Sequence, residues 1–331
     1  MSQLKHTPVL VNEVLTAFSP HGEDRLLDAT LGLGGHTAAY LSAGGEKTTA
    51  VGIELDKAAL EQAKMNLEPF KSRVTYIHGS YHEVKDLIKG GEILFSVFTH
   101  ILLDLGFGSH QIDDVNRGFS FGNDSGLSMR YNPDGSLPPS RLSALNKLEQ
   151  SLGRTPDVKD ILHHLSAEEL AQVLREYGEE KFAGRIAKKL TEEAANLTSA
   201  AKVAAAISEA VPGLYRHGRI HPATRSFQAL RLAVNRELEV LEAALPNLLD
   251  VLAPGGKIAI ISFHSLEDRI VKRFFQAQAK GCICPPEQPR CICEHTPTLK
   301  ILTKKPVEAQ AEEVSTNPRS RSAKIRVAQK V

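Results

Sequence analysis

The chain has 331 residues, 42% of them apolar and 24% charged, which is the make-up of a globular protein and excludes a disordered or collagen-like one. The 40 Lys and Arg against 39 Asp and Glu leave a net charge of +1, and aromatic residues are only 5% with no Trp, so the whole is neither polybasic nor broadly base-stacking. No apolar run approaches the roughly 18 residues of a membrane span, and residues 1–7 lack the apolar core of a signal peptide and the Arg-rich character of a transit peptide. The expectation is a soluble cytoplasmic protein of about two domains, at roughly 150 residues each.

In chain order, the first half alternates β-branched runs with helical patterns, as in an α/β fold. Residues 25–30 predict a strand ending at Asp28. Gly32-Leu33-Gly34-Gly35 follows, and a helix opens near His36 and runs through Leu41. Residues 48–54 predict a second strand ending at Glu54, and Ala59, Leu60, Ala63 and Leu67 mark the helix after it. Residues 73–77 are a third strand, ending in His78-Gly79-Ser80-Tyr81. Residues 97–104 are a fourth, nearly all apolar, as expected of a strand covered on both faces and ending at Asp104.

Residues 111–141 are polar, rich in Gly, Pro and Ser, and without period, which is more often functional than connective in a compact protein. Helical pattern then dominates residues 166–211, opened by the capping box Ser166-Ala167-Glu168-Glu169, and a further helix starts near Thr224. A turn at residues 252–256 and a strand at 257–263 return the chain to the α/β pattern. No internal repeat is visible. The layout predicted is one discontinuous α/β domain, residues 1–110 and 222–331, with a mostly helical domain inserted at 111–221.

Charge and cysteine are unevenly placed. From residue 257 onward there are 14 basic against 7 acidic residues, and residues 315–331 carry Arg319, Arg321, Lys324, Arg326 and Lys330 with no acid. That end reads as a solvated tail or a phosphate-contacting segment. All four cysteines, Cys282, Cys284, Cys291 and Cys293, fall within twelve residues as two C-x-C pairs. Four thiolates could close a tetrahedral zinc site. The usual knuckle is C-x-x-C, however, and the shorter spacing weighs toward a metal-free, redox-labile loop.

The Gly-rich turn between strand and helix lets a ligand approach the backbone, and the acid that ends the next strand, Glu54, lies 22 positions after Gly32. That is the offset at which a carboxylate accepts ribose hydroxyls, so the pair reads as a nucleoside-cofactor site. A dinucleotide would want G-x-G-x-x-G for its pyrophosphate, and Thr37 stands at the sixth position. The tighter turn suits S-adenosylmethionine better than NAD.

These residues belong to longer strings. They include His6-Thr7-Pro8-Val9-Leu10, Asp28-Ala29-Thr30-Leu31-Gly32-Leu33-Gly34-Gly35-His36-Thr37 and Leu103-Asp104-Leu105-Gly106. Further along come Arg117-Gly118-Phe119-Ser120-Phe121, Tyr177-Gly178-Glu179-Glu180, residues 221–231, residues 262–274 and Asn317-Pro318-Arg319-Ser320-Arg321-Ser322. On them the chain resembles the ribosomal RNA small-subunit methyltransferase H family, MraW-like proteins that methylate N4 of a cytidine in 16S rRNA. The resemblance implies a Rossmann-like S-adenosylmethionine-dependent methyltransferase with an inserted, mostly helical substrate-recognition domain. It implies cofactor contacts at Gly34, Gly35, His36, Glu54, Tyr81, Asp104 and Gln111, with Asp104 also at the transfer site. It implies, as partner, the decoding region of 16S rRNA in the small ribosomal subunit, with no membrane; a homodimer is compatible with it.

On the substrate side, Phe107 is a candidate to stack on a splayed-out cytosine, against plain packing. Arg117, Arg130, His221, Arg225, Arg231 and His264 are candidates for RNA contact, each against a structural ion pair. Asp104-Leu105-Gly106-Phe107 is similar to the Asp/Asn/Ser-Pro-Pro-Tyr/Phe string of base-amine methyltransferases without its prolines. Some positions depart from the family. Glu54 replaces the usual Asp, Ser128 and Asn132 replace two carboxylates, Gly126 replaces a Pro, and Gly108 and His110 replace Ser and Pro. Two other classes compete: an NAD-dependent oxidoreductase, and a non-catalytic RNA-binding or assembly protein that kept the pocket.

Overall fold

The structure is a computed structural model. It describes residues 7–106, 118–120, 126–131, 137–216, 220–282, 284, 288–290, 292–293 and 296–331. The chain forms two compact units, one of residues 1–106 and 241–331, the other of residues 107–240. The chain thus leaves the first unit close to where the sequence placed the insertion, and returns at 240/241, later than the expected 221/222.

The first unit is built on one eight-stranded sheet. Its strands are β1 (Arg25–Asp28), β2 (Thr49–Glu54), β3 (Val74–His78), β4 (Phe98–Asp104), β5 (Leu252–Ser262), β6 (Leu299–Ile301), β7 (Val307–Glu308) and β8 (Lys324–Lys330). They lie in the order β3-β2-β1-β4-β5-β8-β6, with β7 also pairing β8. The first five are mutually parallel, and β8 runs antiparallel to β5.

Alternation along each strand divides the core into two layers. Leu27, Val51, Ile53, Ile101, Leu103, Ile258 and Ile260 face a layer that includes Leu245, Leu248, Val271 and Phe275. Leu26, Ala50, Leu102, Ala259, Ile261 and Ile325 face the other, with Val14, Phe18, Tyr40 and Leu60. Both faces are therefore apolar, which is why β4 carries no polar/apolar alternation. The covering helices include α1 (Val11–Phe18), α2 (Gly35–Gly44) and α3 (Lys57–Asn66). Strand order reverses between β1 and β4, because β1 leads to β2 on one side while β4 leads to β5 on the other. Ligands of open parallel sheets bind beyond the carboxyl ends of the strands at such a reversal.

Two expectations are corrected here. The residues read as a turn at 252–256 begin β5, with Leu252 opposite Phe98 and a register shift before Lys257 meets His100. The basic end is no solvated tail over residues 324–330. It is β8, hydrogen-bonded to β5 on one side and β6 on the other. Arg326, 7% exposed, makes a two-pronged ion pair with Asp268 at 2.6 and 2.9 Å, so one of the presumed phosphate-binding arginines is a core partner.

The second unit is helical among its described residues: Ser143–Leu152, Val158–His164, Ala167–Gly178, Ala183–Glu192, Ala200–Ala210, Gly213–Arg216 and Thr224–Asn235. The expected capping box forms, with the Ser166 N–H donating to Glu169 at 2.9 Å and the Glu169 N–H to Ser166 Oγ at 3.3 Å. Leu170, Val173, Leu174 and Tyr177 are buried as their spacing predicts. A polar network knits the unit together. Arg236 is fully buried, donates to Glu149 at 2.8 Å and to Asn146 and the Pro138 carbonyl, and follows its helix in a left-handed turn (φ 50°). Glu239 accepts from the Tyr177 hydroxyl and the Arg141 N–H. Arg231 pairs with Glu237 at 2.8 and 3.1 Å, so the structural reading of Arg231 holds within this unit.

Candidate active site

The site grows from the turn between β1 and α2. Gly34 caps α2 with φ 83°, a conformation that any side chain makes costly. A Cβ there would also come within 2.7 Å of Leu67, and one at Gly35 within 2.9 Å of Pro8. The glycines are therefore required by the packing of the loop as well as by a ligand's approach. Below the turn, Asp28 is buried; it accepts the Thr37 hydroxyl at 2.7 Å and the Thr30 N–H at 3.3 Å. Thr30 in turn accepts the Asp104 N–H at 2.6 Å through its hydroxyl, tying the end of β4 to the end of β1.

Glu54 closes one side of the turn. One of its oxygens accepts the Gly32 N–H at 2.8 Å and the other the Asp56 N–H at 2.8 Å. A carboxylate has about four acceptor sites, so these bonds leave it room to accept a hydroxyl. Burial raises the Glu54 carboxyl to about 7, against the pull of those two N–H groups.

His36 and Asp104 meet at the β1/β4 reversal, His36 Nε2 lying 3.5 Å from Asp104 Oδ2. Both are mostly buried, at 7% and 18% side-chain exposure. Burial disfavours the imidazolium, but the carboxylates of Asp104, Asp28 and Glu313 outweigh it and the His36 pKa lies above its ordinary value. Burial likewise raises Asp28, against the Thr37 hydroxyl and His36. Among the described residues, Nδ1 of His36 and Oδ1 of Asp104 are buried without a hydrogen-bond partner, and Nε2 of His36 has only the 3.5 Å approach of Asp104 Oδ2. Orphaned polar atoms of this kind are costly, and a polar ligand would satisfy them. Tyr81, just beyond β3, packs its ring against the core beneath the same edge of the sheet.

The structure thus brings Gly34, Gly35, His36, Glu54, Tyr81 and Asp104 to the carboxyl ends of four adjacent parallel strands. His264 stands at the end of β5, where it caps the helix Ser265–Gln278: its Nδ1 accepts the Glu267 N–H at 3.4 Å, and its Nε2 faces Glu267 Oε1 at 3.2 Å. Glu267 is a capping residue, as its place at a helix start predicts. Arg130, His221 and Arg225 belong to the second unit. There His221 Nδ1 accepts the Ala223 N–H at 3.2 Å, and Arg225 donates to the Glu179 carbonyl at 3.3 Å. Phe107, Gln111, Arg117, Asn132 and Cys291 lie outside the described residues. Sequence reasoning gave no site role to Thr30, Pro8 or Leu67, and did not single out Glu313. Pro8 and Leu67 shape the glycine turn, and Glu313 accepts the Leu10 N–H at 2.8 Å. Glu313 had no local signal, since its partner is 303 residues away.

Five parallel strands in this order, a glycine turn on a helix start, an acid ending β2 and a second acid ending β4 define a Rossmann-like protein that holds a nucleoside-bearing cofactor. The turn holds no third glycine where a pyrophosphate would sit, which sets it apart from the dinucleotide enzymes. The profile of the MraW methylase family matches residues 3–331, and the chain belongs to that family. It is 43% identical over 329 residues to the ribosomal RNA small subunit methyltransferase H of Heliobacterium modesticaldum, covering 98% of each chain. The proteins of that name from Heliobacterium mobile and Trichlorobacter lovleyi are 42% and 41% identical, with 99% and 100% of this chain covered and 100% of each relative.

Proposed function

We propose that the protein is an S-adenosylmethionine-dependent methyltransferase that acts on the RNA of the small ribosomal subunit, at N4 of a cytidine in its decoding region. Residues 1–106 and 241–331 form the catalytic unit in this reading, and the helical unit recognises the substrate. The observation that carries the reading is the pairing of His36 and Asp104 at the sheet reversal, with His36 Nδ1 and Asp104 Oδ1 buried and without a partner among the described residues, beside a glycine turn clasped by Glu54.

Bound S-adenosylmethionine supplies an electrophilic sulfonium methyl. Glu54 accepts the ribose hydroxyls on its remaining lone pairs, and Gly34 and Gly35 let the methionine end reach the start of α2. Tyr81 offers an edge for the adenine. His36 and Asp104 hold the polar end, and Asp104 Oδ1 accepts a proton-bearing N–H of the cytosine amine. That bond strengthens as the nitrogen gains positive charge, and so stabilises the transition state more than the ground state. The amine's lone pair is delocalised into the ring, so most of the acceleration must come from in-line positioning. Phe107, three residues past the end of β4 in the sequence, is the stacking candidate for the base.

The test is transfer of labelled methyl groups from S-adenosylmethionine to small subunits of a strain lacking the gene. Label in the RNA supports the reading. Cofactor binding with no incorporation would support the scaffold alternative, and calorimetric binding of NAD in place of S-adenosylmethionine would support the oxidoreductase.

A further inference from the structure

The crossover between the helix Ser265–Gln278 and β6 is clamped at its ends. The Thr298 N–H donates to the Gln278 carbonyl at 2.9 Å, and its hydroxyl donates to Gln278 Oε1 at 2.6 Å. Between the clamps nothing apolar is buried among the described residues: Gly281, Cys282, Gln288, Pro289 and Arg290 are exposed, and Ile292 is 73% exposed. The described residues of this segment build no core of their own and need another source of order. What converges instead are thiols. The Sγ atoms of Cys282, Cys284 and Cys293 all lie within 4.8 Å of one another, from two separate C-x-C pairs.

We infer that Cys282, Cys284 and Cys293 bind a structural zinc ion that staples this crossover. The distances favour a metal over a disulfide. Cys293 Sγ and Cys282 Sγ are 3.8 Å apart. Two thiolates sharing a tetrahedral zinc at about 2.3 Å stand about 3.8 Å from each other, whereas a disulfide needs about 2.05 Å. The Ile292 N–H donates to Cys284 Sγ at 3.4 Å, a contact that orients this sulfur within the cluster. The three sulfurs come from opposite ends of the loop, so the short C-x-C spacing does not force adjacent cysteines to chelate alone. All-thiolate donors select a soft or borderline metal and exclude magnesium and calcium. The sequence holds one more thiol, Cys291, outside the described residues. On binding, each thiol gives up its proton, so affinity falls as pH falls.

The test uses the full-length protein, expressed with zinc, without a polyhistidine tag, and purified without chelator. Metal analysis should find about one zinc per chain. Below about 0.2 zinc per chain, or iron or copper in its place, the inference is overturned. Cys282→Ser and Cys284→Ser should each lower zinc at least about fivefold while far-UV circular dichroism stays unchanged. Full zinc retention in both would overturn the ligand assignment, and the wild-type metal content decides the matter if either variant fails to fold. Removing zinc should speed tryptic cleavage after Arg290 at least about tenfold; an unchanged rate would contradict the stapling role.

Discussion

Glu54 Oε2 accepts the Gly32 N–H at 2.8 Å, so the acid that ends β2 holds the glycine turn that follows β1. This bond makes the carboxylate shape the turn, and in the proposed reading it also receives the ribose. Its carboxyl is raised to about 7 by burial, with the Asp56 and Gly32 N–H groups opposing. Hydroxyls donate best to the ionised form. Cofactor affinity should therefore rise about tenfold between pH 6 and 8 and level off above, as the ionised fraction does. Binding below pH 7 should release protons, which calorimetry in two buffers of different ionisation enthalpy would detect. Glu54→Gln should bind weakly and flatten the profile; a pH-independent wild-type affinity would contradict the account.

The same shift acts on stability. A carboxyl with a raised folded-state pKa binds protons more tightly in the native state, so stability falls as pH rises from about 4.5 to about 7. Asp28 and His36 are also raised and push in the same direction. The ligand-free protein should lose more melting temperature between pH 5 and 8 than Glu54→Gln does, as followed by scanning calorimetry.

Gly34→Ala tests the turn itself. The left-handed φ of 83° and the 2.7 Å approach to Leu67 mean that Ala must both strain the backbone and displace Leu67. The backbone cost alone is about 1–2 kcal/mol. Cofactor affinity should fall at least about tenfold. Gly22→Ala supplies the contrast: it too has positive φ, but nothing lies within 4 Å of its Cβ, and it should lower stability without touching affinity.

Asp104→Asn keeps the shape of the β4 end and the Thr30 contact to its N–H, but removes the charge opposite His36. Turnover should fall at least about 100-fold, and cofactor affinity by less than about tenfold. An equal loss in both would make Asp104 a cofactor ligand only.

Removal of residues 324–331 should leave the protein insoluble or unfolded. It takes away the strand that joins β5 to β6 and strips Asp268 of Arg326. A solvated tail would tolerate the same deletion. Limited proteolysis and circular dichroism of the truncated chain would separate the two.

That last case shows where the sequence was readable. Strands β1 to β4 were legible because each is short, apolar and followed by a marked element: Asp28 with its glycines, Glu54, Tyr81, Asp104. The site residues at their ends were legible for the same reason, since parallel topology places consecutive strand ends on one edge. β8 was not legible, because Lys324, Arg326, Gln329 and Lys330 gave it a polar look that only partners distant in sequence explain: Glu308, Asp268, the Gly255 carbonyl, and the Leu249 and Leu252 carbonyls in turn. The roles of Thr30 and Glu313 were hidden likewise, their contacts being long-range. Arg231 and Arg236 carry the charge of RNA-binding residues, yet the ion pairs with Glu237 and Glu149 occupy them inside their own unit.

The most direct measurement is nucleoside mass spectrometry of small-subunit RNA from a strain lacking the gene, after incubation with the purified protein and S-adenosylmethionine. The account predicts N4-methylcytidine in the decoding region with the wild-type protein, and its loss with Asp104→Asn. Methylation on another atom or base, or N4-methylcytidine formed equally well by Asp104→Asn, would contradict it.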